Sequence, residues 1–239
     1  MQPVFVLVRP QLGENIGAAA RAMLNFGLTE MRIVAPRDGW PNPRAEALAA
    51  GASRVLDTAT IHDDLPSAIG DCAHVLATTA RARDLTKDVH DPQRAMTLAR
   101  DRGAGGERVA ILFGPERAGL ENDDVALATG IVTVPVNPDF PSLNLAQCVL
   151  LMGYEWRRQK AAPAATPSEP RATVLEVEHL ARQWEARLEA AQYFFPPAKA
   201  AHMRTGLRNL WSRMPLTTRD VAILHGALRQ LVRRHGDGG

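Results

Sequence analysis

The chain has 239 residues, 46% of them hydrophobic and 23% charged, with a formal net charge of +2. That balance suits a globular protein with a sizeable buried core and argues against a disordered or fibrous chain. Apolar runs of about 18 residues are missing, which predicts no membrane-spanning helix.

The first residues lead straight into a strand-like segment, without the basic flank, apolar stretch and cleavage site of a secretory signal. Val4–Val8, Met31–Val34, His74–Thr78, Val109–Phe113 and Ile131–Val134 are near-continuous apolar runs, the pattern of parallel strands covered on both faces. Helical patterns alternate with them: Asn15–Phe26, ending before Gly27, then Asp91–Arg102, Asn122–Ala128 and the long Asn144–Lys160. The alternation predicts an α/β fold with an open parallel sheet and flanking helices, and ligands beyond the carboxyl ends of its strands. Residues 161–171 hold three prolines and predict an extended linker. Three further helices are expected over about 172–192, 199–213 and 218–234, with Thr218 as N-cap of the last. The chain thus divides into a domain over 1–160, a linker over 161–171 and a small helical extension over 172–239.

Cys72 and Cys148 sit in apolar runs without CxxC spacing, and the histidines form no HExxH or other ligand spacing. The expectation is a cytoplasmic protein with no disulfide and no metal. His74 reads as structural, and Trp156 and Trp211 as core or interface residues.

Three loops that follow strands could carry chemistry. The first runs from Gly13 to Arg21 and opens a helix almost without side chains at Gly17, Ala18 and Ala19. A ligand or another chain could approach closely there, although a tight helix–sheet contact with a solvent-facing Arg21 would use the same residues. It is not GxGxxG, so a dinucleotide site is disfavoured. The second, Phe113 to Leu120, turns at once on Gly114 and Pro115 and puts Glu116 beside a strand end; a plain salt-bridged turn is the alternative. The third, Pro135 to Ala146, is held by three prolines, and Ser142 or Asn144 can cap the following helix. Capping alone would also explain it.

In order and spacing these loops, Asn15-x-Gly17-x-x-x-Arg21, Phe113-Gly114-Pro115-Glu116-x-x-Gly119-Leu120 and Ser142-Leu143-Asn144-x-Ala146, resemble the three motifs of the TrmH-like branch of the SPOUT RNA 2′-O-methyltransferases. The resemblance covers residues 4–160. The extension behind a proline-rich linker resembles the TrmJ-type subgroup, which methylates the ribose 2′-hydroxyl of anticodon-loop nucleotide 32 in tRNA. The resemblance implies a trefoil knot, which general topology rules would oppose. It also implies S-adenosyl-L-methionine as cofactor, and a homodimer whose second subunit helps complete the site. It assigns catalytic roles to Arg21, Asn15, Glu116, Ser142 and Asn144, with Glu116 orienting the second loop or Arg21. Thr78, Thr79, Ala80, Gly114, Val134, Ser142, Leu143 and Asn144 would line the cofactor pocket. Arg81 and Arg83, on the loop after the third main strand, could contact phosphate or be surface residues.

Charge distribution adds a partner. Residues 1–160 carry net −2 and residues 161–239 net +4; from Lys199 to Arg234 Asp220 is the sole acid against eight bases. A basic extension suits a polyanion, here tRNA, with Arg204, Arg208, Arg233 and Arg234 as expected RNA contacts. An arginine-rich solvated surface is the alternative. Methylation of another tRNA position or of rRNA, a non-catalytic RNA-binding protein of the same fold, and a small-molecule α/β enzyme are the rival functions. The basic extension and the absent phosphate-loop fingerprints weigh against the last.

Overall fold

The computed structural model describes residues 1–80, 87–159 and 169–236, with side chains as far as Leu231. Among the described residues seven strands form the sheet: β1 (Val4–Val8), β2 (Met31–Val34), β3 (Thr60–His62), β4 (His74–Thr78), β5 (Asp88–His90), β6 (Val109–Phe113) and β7 (Gly130–Val132). Their order is β3-β2-β1-β6-β4-β7-β5, and every pair is parallel. Ten helices accompany them among the described residues: α1 (Gly13–Asn25), α2 (Pro43–Ala49), α3 (Ser53–Asp57), α4 (Leu65–Ile69), α5 (Pro92–Ala104), α6 (Asn122–Leu127), α7 (Leu145–Arg158), α8 (Val174–Ala190), α9 (Pro197–Arg213) and α10 (Thr218–Gly236).

Alternation along β1 and β6 sends residues to two cores. Phe5, Leu7, Ile111 and Phe113 face α1, α5 and α7, with the Phe5 and Phe113 rings 5.1 Å apart. Val4, Val6, Val8, Ala110 and Leu112 face α4 and α6. Both strands are wholly buried, which is why their sequences show no polar alternation. The chain builds outward from β1 to β3, crosses to β4, and then inserts β6 between β1 and β4 and β7 between β4 and β5. Order reverses at β1–β6, so the loops after β1, β4, β6 and β7 gather at one end of the sheet, where crevices form in such folds.

Several expectations need correction. Gly17 does not admit a ligand: a Cβ there would lie 2.1 Å from the carbonyl oxygen of Ala45, so it lets α1 and α2 pack backbone to backbone. The cap of α10 is Thr217, not Thr218. Its hydroxyl accepts from the Asp220 amide at 3.1 Å, while the Asp220 carboxylate accepts from the Thr217 amide at 2.8 Å, a reciprocal box. The last sheet strand ends at Val132 rather than Val134. Edge strands β3 and β5 and helices α2 to α4 were not foreseen.

The extension has its own core of Leu180, Ala181, Trp211, Leu216 and Val221, with Trp184 and Trp211 in ring contact at 5.8 Å. It also docks on the sheet domain. Val174 enters the second core and its amide donates to the Cys72 carbonyl at 2.8 Å. The Lys87 ammonium donates to the carbonyls of Val125, Ala126 and Ala128 at the end of α6 and to the Ser212 hydroxyl of α9. Residues 161–168 of the expected linker lie outside the described residues. Its last residue, Arg171, pairs with Thr217 in an isolated bridge and donates its amide to Glu107 at 2.8 Å. Glu107 also meets His74, which is buried and structural as expected.

Candidate active site

A cavity of about 270 Å³ opens beyond the carboxyl ends of β4, β6 and β7. Thr78, Thr79 and Ala80 leave β4 along one wall. Gly114 to Leu120 form a second, and Val134 with Pro141, Ser142 and Leu143 a third. The Thr78 hydroxyl donates to the Leu112 carbonyl at 2.7 Å, which fixes the first wall to β6. Gly114 is required by close approach: a Cβ would stand 2.3 Å from the Leu120 nitrogen, because the loop folds back upon itself. Gly119 completes that fold at φ +66°, where its amide donates to the Pro115 carbonyl at 2.9 Å. Cys148 lies at the cavity floor, and burial pushes its thiol up to about 11, so it stays neutral. Burial likewise raises Cys72, to about 12, and neither cysteine is bridged.

Beside the cavity a chain of hydrogen bonds joins all three loops. Both Glu116 oxygens accept: Oε2 from the Gln11 amide at 2.8 Å, Oε1 from the Leu12 amide at 3.2 Å and from Asn15 Nδ2 at 2.7 Å. Helix α1 has no side-chain cap of its own at Leu12, and Glu116 supplies its negative charge at that positive helix end. The Asn15 Oδ1 in turn accepts from Asn144 Nδ2 at 3.0 Å. Asn144 Oδ1 then accepts from the amides of Ala146 and Gln147, capping α7, and Gln147 Oε1 accepts from the Asn144 amide at 3.3 Å. Asn144-x-x-Gln147 is a capping box legible in the sequence, yet Gln147 was not singled out there.

Among the expected cofactor residues, Thr78, Thr79, Ala80, Gly114, Val134, Ser142 and Leu143 line the cavity, while Asn144 stands outside its wall. Glu116 orients the first and second loops and does not touch Arg21. Arg21 is exposed on α1, makes no hydrogen bond or ion pair among the described residues, and no α1 residue reaches the cavity wall. In the extension, Arg204 is paired with Glu185 and Glu189 and lies over the Phe194 ring at 4.2 Å, so its charge is balanced within the extension. Arg208 is exposed. The side chains of Arg233 and Arg234, and residues Arg81 and Arg83, lie outside the described residues. Trp156 packs at the margin of the first core under the Arg100 guanidinium, 4.1 Å from its ring centre, and Trp211 is buried.

The wall suits an adenosyl group with a short polar tail. Phe113, Pro115, Leu120, Val132, Val134 and Leu143 offer apolar surface, and Gly114 and Gly119 expose main chain at close range. Glu116 and Arg117 put charge at the second loop. No group of three or more His, Cys, Asp or Glu that could hold a metal occurs among the described residues.

Comparison with known proteins agrees with this architecture. Residues 2–154 match the model of the SpoU rRNA methylase family, and the chain belongs to that family. It is 33% identical to a tRNA (cytidine/uridine/adenosine-2′-O-)-methyltransferase, TrmJ, of Pseudomonas aeruginosa, over 94% of this chain and 91% of that protein. The crystal structure of TrmJ from Z. mobilis ZM4 superposes with a TM-score of 0.88 at 49% identity, covering 97% of this chain and 99% of that one. A structure described as bearing on 2′-OH methylation of C/U34 on tRNA is 26% identical with a TM-score of 0.52, and covers 66% of this chain and 95% of that one.

Proposed function

We propose that the chain is an enzyme that transfers a methyl group from S-adenosylmethionine to a ribose 2′-hydroxyl of tRNA, at anticodon-loop nucleotide 32, and does so in the cytoplasm. One observation carries the reading: the Glu116–Asn15–Asn144 chain of hydrogen bonds, which locks three loops around an apolar cavity. Full-length likeness to tRNA 2′-O-methyltransferases supports it. The relative concerned with position 34 matches only the sheet domain's share of the chain, which weighs against the wobble ribose. The knotted threading implied by the family belongs to the same reading.

The cofactor supplies a methyl on a sulfonium, an electrophile that needs no metal. The protein's task is to orient and deprotonate a weak nucleophile. The cavity wall would hold the adenosyl group, with Val134, Leu143 and main chain of the Gly114 loop among the residues that line it. Glu116 already accepts three N–H donors, so it is an anchor and not the base. Guanidinium groups stay protonated in proteins; Arg21 therefore donates to the ribose and its neighbouring phosphate, and the hydroxyl proton passes to water. Ser142, exposed at the cavity rim, faces the incoming substrate edge. Because no α1 residue lines the cavity of its own chain, Arg21 acts on the cavity of a second subunit in a homodimer. Calorimetry should show binding of S-adenosylhomocysteine and none of NAD. Mass-spectrometric mapping of tRNA treated with enzyme and cofactor should find one new ribose methyl at nucleotide 32. NAD binding without a response to S-adenosylhomocysteine would overturn the assignment, and methylation elsewhere would correct the position.

A further inference from the structure

We propose that the turn between α8 and α9, Gln192–Pro197, is a stacking site for an unpaired base of the RNA substrate. This rests on the tRNA reading above and adds a base-binding element to it.

The turn is built to be rigid. Gln192 ends α8 in the left-handed region at φ +57°, and the Tyr193 amide then donates to the Leu188 carbonyl at 2.9 Å. The Phe195 amide donates to the Tyr193 carbonyl at 3.0 Å, and Pro196 and Pro197 fix the backbone into α9. Phe194 is the anchor. It is buried, meets the Tyr193 ring edge-on at 5.3 Å, and carries the Arg204 guanidinium on its face. The rings on either side are left in water: Tyr193 is 53% exposed and Phe195 74%. Single exposed apolar residues need no account. Two aromatic rings on one fixed turn offer a large π surface that loses little conformational freedom when a flat group lies on it.

Charge selects the occupant. From Ala190 to Arg219 the chain has no acid, against Lys199, Arg204, Arg208, Arg213 and Arg219. The acids nearest on α8, Glu185 and Glu189, are both engaged by Arg204. Lys199, Arg208 and Arg213 on α9 are exposed. Aromatic faces, with exposed cations beginning at Lys199 and running along the adjoining helix, are the two components that bind single-stranded nucleic acid, one for bases and one for phosphates. Paired bases in an A-form helix present no face to a side chain, so the partner is an unpaired nucleotide of a loop, bulge or end.

The test uses the full chain with tRNA transcript, titrated by anisotropy across a range of salt. Tyr193→Ala and Phe195→Ala should each weaken tRNA binding about tenfold. The salt slope should stay unchanged, since no phosphate contact is lost; Arg208→Ala, as control, should flatten it. Phe195→Trp should bind as the parent does, and its fluorescence should be quenched by tRNA. Melting temperature and S-adenosylhomocysteine affinity should hold in all variants. Parent-like tRNA binding by both alanine variants would overturn the proposal. So would a change in their oligomeric state by sedimentation, which would make a second copy of the chain the occupant. Failure of the parent protein to bind tRNA at all would remove the reading on which the proposal rests.

Discussion

At the scale of single residues, two polar groups have no interchangeable substitutes. The Glu116 carboxylate accepts at both oxygens, and a glutamine in its place turns one of them into a donor facing an N–H. A half-exposed donor there loses a hydrogen bond to a charged acceptor, worth about 1.5–3 kcal/mol. Glu116→Gln should therefore loosen the Gln11–Asn15 segment and slow methyl transfer by roughly tenfold or more, with a smaller change in S-adenosylhomocysteine affinity. A parent-like rate in steady-state assays would contradict the anchoring role. Lys87 is the second case. Burial lowers its ammonium from 10.5 to about 7, although three carbonyls and the Ser212 hydroxyl surround it. The unfolded chain keeps that proton until about pH 10.5. Between the two values the unfolded state binds more protons, so this group makes stability rise with pH from about 7 upward; below about 7 its burial cost is fully present. Denaturant midpoints measured from pH 6.5 to 9.5 should climb in the parent and stay flatter in Lys87→Met. Parallel curves would show that Lys87 does not titrate in this window.

At the scale of elements, the strands buried on both faces were legible and the short edge strands were not. Val4–Val8, Met31–Val34, His74–Thr78 and Val109–Phe113 fall where their apolar runs predict, because a strand covered on two faces is mostly apolar; Arg32, His74 and Thr78 are the polar residues among them. β3 and β5 are three-residue edge strands whose sequences, Thr60–His62 and Asp88–His90, are half polar, so periodicity has nothing to grip. The short α2 and α4 begin on Asn42 and Asp64 caps followed by proline, a signal present in the sequence but carried by helices too short to show an apolar face. Among the site residues, motif spacing found the three loops, yet nothing in it says that Glu116 reaches Gln11 and Leu12, contacts more than 100 positions apart in sequence. Gly17 shows where the pattern stops. Its small size reads equally as room for a ligand or as a tight packing contact, and the room is filled by Ala45 of α2. Gly17→Ala should consequently destabilise the fold by about 1–3 kcal/mol through overpacking, seen as a lower denaturant midpoint with an unchanged m-value. An unperturbed midpoint would mean that α2 can shift away freely.

At the scale of the whole molecule, the question is how an exposed arginine outside the cavity can serve it. Arg21 has no partner among the described residues and lies on a helix absent from the cavity wall. The two-fold dimer proposed above would solve this, since each patch would then meet the other subunit. Exposed Leu12 before α1 and Leu150 on α7 supply apolar surface on the packed pair α1 and α7, while exposed Tyr154 lies toward their other end, against Phe26. The arrangement predicts complementation. Arg21→Ala removes the donor but keeps the cavity. Gly114→Val ruins the cavity, since even a Cβ there would meet the Leu120 nitrogen at 2.3 Å, and keeps the donor. Each variant alone should be inactive. In a heterodimer, the intact cavity of the Arg21→Ala chain receives Arg21 from the Gly114→Val chain, and one of its two sites works. Random assortment of equal amounts, by co-expression with two tags, should restore about one quarter of parent activity, and purified heterodimer about half. The readout is methyl transfer to tRNA, with sedimentation confirming that all species are dimers. A site complete within one chain would leave every mixture inactive. Dimeric heterodimers without activity would therefore place Arg21 at the cavity of its own subunit.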